Sequence, residues 1–268
     1  MTRKWIFSDY DGTLCKTRDD KITQQDLQFV KEWQKKGNEF IINTGRIPRE
    51  MNKLFELNDI DLDLLVCCDG TMGYSRKENK VLYSLEIDLE TRKKLWNFVK
   101  DELNRWEVSY CTPQARKMIN VLPKGVIRND NFNYQEFLGT DNCKNFNELL
   151  EDENVISFQI ACHINDVKEV TDYFEKNFKD LRVLMITNQT IEVVHKDAGK
   201  DYGIKKLAQT FEIDSKDIYT IGDGPNDKEM LLFNDNSFLI KSELTNKKLF
   251  ECVKYSIESV HEIEKYIK

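Results

Sequence analysis

Asp9 and Asp11, separated by one residue, stand in Phe7-Ser8-Asp9-Tyr10-Asp11-Gly12-Thr13-Leu14, directly after an apolar run. On an extended backbone two carboxylates at that spacing face the same side. Far along the chain, Gly222-Asp223-Gly224-Pro225-Asn226-Asp227 supplies a second acidic turn. Brought together, such acids repel one another, and a divalent cation with a preference for hard oxygen ligands, such as Mg²⁺, would relieve the repulsion. A carboxylate held beside Mg²⁺ can attack phosphorus and form an aspartyl phosphate. The second acid can protonate the leaving alcohol and then deprotonate the attacking water. Thr44, ahead of Gly45 and Arg46, offers a hydroxyl and a backbone N–H to a phosphoryl oxygen. Lys200 can neutralise charge on the transferring group. Asp223 would complete the metal site, while Asn226 and Asp227 would orient Lys200 or a metal-bound water. Gly12 and Thr13 suit a tight turn that points backbone N–H groups at phosphate oxygens.

The elements that must carry these residues are legible in the hydrophobic pattern. Lys4 to Ser8 reads as a buried strand. Thr23 caps a helix whose Leu27, Val30 and Trp33 share a face, and Gly37 closes it. A strand over 39–43 ends at Thr44, a helix runs from about Pro48 to Leu57, and 62–68 is a third strand. Near the C-terminus Ile204, Leu207, Ala208 and Phe211 line one helical face. A strand over 217–222 follows, then a helix through Met230 to Leu232, strands at 237–240 and 255–257, and a last helix carrying Val260, Ile263 and Ile267. Strands alternating with helices predict an α/β fold, a doubly wound parallel sheet. Function in such sheets collects beyond the carboxyl ends of the strands, where Asp9, Asp11, Thr44, Asp69 and the 223–227 turn all fall. The middle of the chain mixes helices with strands at 155–162 and 181–186, which predicts an inserted α+β domain over 85–186, with 1–84 and 187–268 forming the core.

The chain has 268 residues, and 40% of them are hydrophobic. A sizeable core is therefore available, and two domains are the natural division. Net charge is −7, and no basic stripe stands clear of acidic neighbours, which argues against nucleic acid as a partner. In the insert, Arg116, Lys117, Lys124 and Arg128 form a loose basic group that reads as a solvated strand–loop face. The seven cysteines include no C-x-x-C, so they are expected to be free thiols in a reducing, cytoplasmic compartment. No apolar stretch is long enough to span a bilayer, so no membrane partner is expected. His163, His195 and His261 lack metal-ligand spacing and read as packed or surface side chains.

Asp9-Tyr10-Asp11-Gly12-Thr13-Leu14, Thr44-Gly45-Arg46, Lys200 and Gly222-Asp223-Gly224-Pro225-Asn226-Asp227 resemble, in order, the four motifs of the haloacid dehalogenase (HAD) superfamily. The large insert between the second and third motifs looks like the C2-type cap of its Cof-like, subclass IIB branch. The resemblance covers the whole chain. It implies Asp9 as nucleophile, Asp11 as general acid/base, and Thr44 and Lys200, with Gly45 and Asn226 beside them, around the phosphate. It also implies Mg²⁺ at Asp9, Asp223 and the backbone carbonyl of Asp11, with Asp227 in the same metal-site group. Two departures stand out. Relatives often carry Asn-Gly after the third strand where this chain has Asp69-Gly70, and Ser-Lys-Gly where it has Gly199-Lys200-Asp201.

The function so implied is a Mg²⁺-dependent phosphatase acting on a small phosphorylated metabolite, with sugar phosphates as the expected class. A hexose-phosphate mutase of the same superfamily is the first alternative, and a non-catalytic binding protein on this fold the second. The same acidic turn occurs in ion-pumping ATPases, but those need membrane helices and lack an acid at the position of Asp11.

Overall fold

The computed structural model describes residues 2–16, 20–123, 125–127, 141–142, 147–241, 247–251 and 253–267. The chain divides into two compact units, one of residues 1–83 and 199–268, the other of 84–198. The second unit thus extends past 186, because Thr190–His195 is a strand bonded between two others of that unit rather than part of the core.

The first unit is built on a sheet whose central strand is β1 (Trp5–Ser8). It is flanked on one side by β2 (Glu39–Asn43) and β3 (Leu64–Cys67), and on the other by β12 (Ile218–Gly222), β13 (Ser237–Ile240) and β14 (Tyr255–Ile257). All of these pairs are parallel, as expected for a doubly wound α/β sheet. Ile6, Phe7, Phe40, Ile41 and Ile42 are fully buried, which is what strands covered on both faces require. Each such side chain contributes roughly 1.5–3 kcal/mol.

Beyond β3 the chain does something the hydrophobic pattern does not announce. Cys68 and Asp69 both have φ of 50° and Gly70 has φ of 90°, a sharp reversal into β4 (Met72–Ser75) and β5 (Lys80–Ser84). β4 runs antiparallel to β3 and extends the sheet at that edge. Gly70 is required by proximity as well as by φ, since a Cβ there would lie 1.8 Å from the Gly199 carbonyl oxygen. This close approach fixes where α6 (Lys200–Thr210) begins. The helix expected over the last residues is instead a 3-10 segment, Val260–Lys265.

Helix α1 (Gln24–Lys35) starts as expected, with Thr23 as N-cap accepting the Asp26 N–H, and buries Leu27, Phe29, Val30 and Trp33. Helix α2 (Pro48–Asn58) opens on proline and ends at Asp59, which is left-handed.

The second unit has a sheet in the order β10-β11-β9-β6-β7-β8, comprising Leu181–Met185, Thr190–His195, Ser157–Ala161, Glu107–Cys111, Arg116–Met118 and Asp141–Asn142. Its pairs are antiparallel except β7 with β8. Val108, Tyr110, Phe158, Ile160, Ile191 and Val193 pack with residues of α3 (Leu89–Val99), α4 (Asn147–Glu151) and α5 (Val167–Asn177) in one core. The basic group expected in this unit is not a solvated face where it is described. Arg116 is buried and donates to Gln159, and Lys117 is paired with Glu148 and Asp152. Lys124 and Arg128 lie outside the described residues. Among the described residues no helix is long and apolar enough to cross a membrane.

Candidate active site

The site lies at the carboxyl ends of β1, β2, β3 and β12, wholly within the first unit. Asp9 follows β1 directly and is tied down by its N–H, which donates to the Ile221 carbonyl at 2.9 Å. Lys200, the first residue of α6, is fully buried in its side chain, and its Nζ donates to Asp9 Oδ1 and Asp227 Oδ1, each at 2.6 Å. The start of that helix is held from below by Asn43 at the end of β2, whose Nδ2 donates to the Lys200 carbonyl at 2.8 Å. Asp227 is saturated. Its second oxygen accepts the N–H groups of Asp223 and Gly224 at 2.9 and 2.8 Å, so this carboxylate shapes the turn and orients Lys200 at once. Asp223 Oδ1 accepts the Thr13 hydroxyl at 2.6 Å.

One carboxylate oxygen from each of Asp9, Asp223 and Asp227 falls within 4.8 Å of the others. Burial and mutual repulsion have a measurable consequence there. Burial pushes Asp9 well above the ordinary carboxylate range, with Lys200 opposing and Asp227, Asp11 and Asp223 adding to the rise. Asp223 is pushed up to about 6, chiefly by burial, against the pull of the Thr13 hydrogen bond. Burial alone would lower the Lys200 ammonium, but Asp227 and Asp9, and Asp69 behind them, hold it above the ordinary lysine value. The cluster holds more negative charge than one ammonium offsets, and its donors are hard oxygens, so the residues fit a small divalent cation. Oδ2 of both Asp9 and Asp223 has no hydrogen bond among the described residues.

The turn after β1 explains why Gly12 is glycine. Its φ is +85°, and a Cβ there would come within 2.5 Å of the Asp223 carboxylate. Its N–H, however, is spent on the Cys15 carbonyl at 2.8 Å. The expectation that the Gly12 N–H faces a phosphate is therefore not met. The same holds at β2. Thr44 is buried, but its N–H donates to the Val66 carbonyl at 2.9 Å in the ladder with β3, so only its hydroxyl remains, and that oxygen accepts the Arg46 N–H at 3.2 Å.

Asp11 does not join the carboxylate cluster. Its side chain is 50% exposed and grips Arg46 through two bonds, Nε to Oδ2 at 2.7 Å and Nη2 to Oδ1 at 2.6 Å. Asn226 Nδ2 donates to Asp69 Oδ1 at 3.0 Å, while Lys200 donates to Asp9 and Asp227, so Asn226 does not orient it directly. Sequence reasoning did not identify the Thr13–Asp223, Asn43–Lys200 or Asp69–Asn226 contacts. Thr13 alone carried a signal, two residues after Asp11 in a turn already singled out.

A family model described as haloacid dehalogenase-like hydrolase matches residues 6–263. The chain belongs to that family. Among curated relatives, an uncharacterized protein of Mycoplasma capricolum is 28% identical over 97% of this chain and 99% of its own length. A 5-amino-6-(5-phospho-D-ribitylamino)uracil phosphatase of Bacillus subtilis is 25% identical over 85% of this chain and 84% of its own. Among solved structures, a HAD subclass IIB sugar phosphatase superposes with a TM-score of 0.80 at 19% identity, covering 98% of each chain. At that identity the likeness speaks for the fold, an α/β core with an inserted, mostly antiparallel cap.

Proposed function

We propose that the chain is a Mg²⁺-dependent phosphatase of small phosphomonoesters, with sugar phosphates as the substrate class, working through an aspartyl phosphate on Asp9. The observation that carries this reading is a buried Asp9 bonded to a buried Lys200, with Asp223 close enough to share a cation. Asp9 and Asp223 would hold the magnesium through the oxygens that hydrogen bonds leave open, with Asp227 supporting them from behind. When bound, magnesium supplies positive charge that favours the carboxylate form of both aspartates and offsets that of the phosphoryl group.

The remaining steps belong to the chain itself. Asp9 is anchored by its backbone and aimed by Lys200, so the nucleophile is positioned before substrate arrives. Lys200 and the Thr44 hydroxyl face the transferring group's oxygens. Asp11 gives a proton to the leaving alcohol and later takes one from water, which requires its carboxyl to leave Arg46 and turn toward Asp9. The unit of residues 84–198 is read as the cap that selects the leaving group. The names of the Bacillus relative and of the subclass IIB structure support phosphatase chemistry and the sugar phosphate class. A cytoplasmic location belongs to the same reading, supported by the buried free thiols of Cys15, Cys67, Cys68, Cys111 and Cys162.

The test is phosphate release from a panel of phosphorylated metabolites with Mg²⁺. Release from one or a few sugar phosphates, abolished by EDTA, is the expected result. Appearance of an isomeric sugar phosphate without free phosphate would replace this reading with the mutase.

A further inference from the structure

Asp69 is 1% exposed and sits in the turn directly after β3. Its Oδ1 accepts from Asn226. Its Oδ2 is buried and has no hydrogen-bond partner among the described residues. That oxygen lies against the turn after β2, 2.9 Å from where a Cβ on Gly45 would be, and the Asp69 N–H donates to the Thr44 carbonyl at 3.1 Å. A buried carboxylate oxygen left unmatched is costly, and the backbone gives no reason for it. The left-handed φ of 50° suits asparagine as well as aspartate. An amide oxygen would also accept the Asn226 hydrogen bond. What aspartate adds over asparagine is negative charge, placed behind the Thr44–Gly45 turn in a region of low dielectric.

We propose that Asp69 is a positioning residue whose charge loosens the site's hold on the phosphoryl dianion and so speeds release of inorganic phosphate. The inference rests on the phosphatase reading above. A repulsion felt equally by bound substrate and bound product weakens both, raising KM and the phosphate inhibition constant together without lowering kcat. Where product release limits turnover, it raises kcat.

The experiment is calorimetric titration of inorganic phosphate into the full chain with Mg²⁺, for the natural protein, Asp69→Asn and Asp69→Ser, beside the same metabolite panel. Removing the charge should tighten phosphate binding about three- to tenfold in both variants, with KM falling in parallel and kcat equal or lower. A role confined to holding Asn226 predicts another pattern: unchanged affinity in Asp69→Asn, which keeps the acceptor, and weaker affinity in Asp69→Ser. That pattern would overturn the inference while leaving the phosphatase intact. Absence of both phosphate binding and phosphate release in the natural protein would overturn the phosphatase reading, and the inference with it.

Discussion

Asp9 and Asp26 are both buried aspartates of the first unit, and their surroundings push them in opposite directions. Asp26, near the start of α1, is fully buried. Its Oδ2 accepts from Thr23 Oγ1 at 2.8 Å and Ser259 Oγ at 2.7 Å. Its Oδ1 accepts the His261 N–H at 2.8 Å and lies 2.9 Å from His261 Nδ1. Burial would raise its pKa, but the donors from Ser259, His261 and Thr23 outweigh burial and lower it. Among the described residues Asp9 has one donor to its side chain, Lys200, and three acids around it, and its pKa is raised. Donors that outnumber charges make a buried carboxylate a structural clasp, here joining the C-terminal segment to α1. Acids that outnumber donors leave charge for something else to neutralise, and that is a site.

The sharpest way to break the comparison is to neutralise Asp9. Asp9→Asn should reduce phosphate release by at least about a thousandfold, since the nucleophile itself is gone. Its melting temperature should not fall, because the change relieves crowding among acids. Retained turnover would refute Asp9 as nucleophile, and a clear loss of stability would place it with Asp26.

Asp11→Asn should come next in effect on turnover, a loss of about a hundredfold or more, the range for a general acid/base. With a labelled substrate whose leaving group needs no proton, formation by Asp9 is spared and only hydrolysis is slowed, so the aspartyl phosphate should accumulate, visible as acid-stable label. A loss of turnover with no trapped label would mean that Asp11 acts mainly in forming the intermediate.

Thr13→Val should have a smaller effect. It removes the hydroxyl that orients Asp223, and outer-shell losses of this kind weaken metal affinity about tenfold or more. The Mg²⁺ concentration for half-maximal activity should rise by that factor while the maximal rate at saturating Mg²⁺ changes little. An unchanged Mg²⁺ requirement would show that Thr13 does not tune the metal site.

How much of this was readable from the sequence follows from what each feature depends on. The parallel strands and their flanking helices were legible, because apolar runs such as 39–43 and capping signals such as Thr23 are local. Asp9, Asp223, Asp227 and Lys200 were also legible as a group, because each falls where a strand ends or a helix begins. The use of individual N–H groups was not. Whether Thr44 N–H serves a ligand or Val66 depends on how far the β2–β3 ladder runs, and Gly12 N–H on the closure of its own turn. The reversal at Cys68 and Asp69 was missed because neither residue is the glycine that usually announces a left-handed turn. The bidentate Arg46–Asp11 pair was undecidable for a related reason. Arg46 has a second acid, Asp20, at 3.6 Å, and only the backbone turn sets which carboxylate it grips.

Asp26→Asn should have no effect on turnover per folded molecule and a clear one on stability. An amide offers one acceptor oxygen where the carboxylate offers two, and turns its NH2 toward groups that are themselves donors, a loss of about 2–3 kcal/mol. The pH dependence then separates the two aspartate environments by sign. Asp26 has a lowered folded pKa, so its contribution to stability is present above the ordinary carboxylate value and is lost as pH falls through the lowered one. Asp223, raised from 3.8 to about 6, works the other way without metal: the folded protein binds a proton that the unfolded chain has released, so stability falls as pH rises through that interval. Melting curves in EDTA should therefore lose their acid-side decline in Asp26→Asn and their decline between about pH 4 and 6 in Asp223→Asn. Identical slopes in both variants would mean that the contrast between clasp and site is not electrostatic.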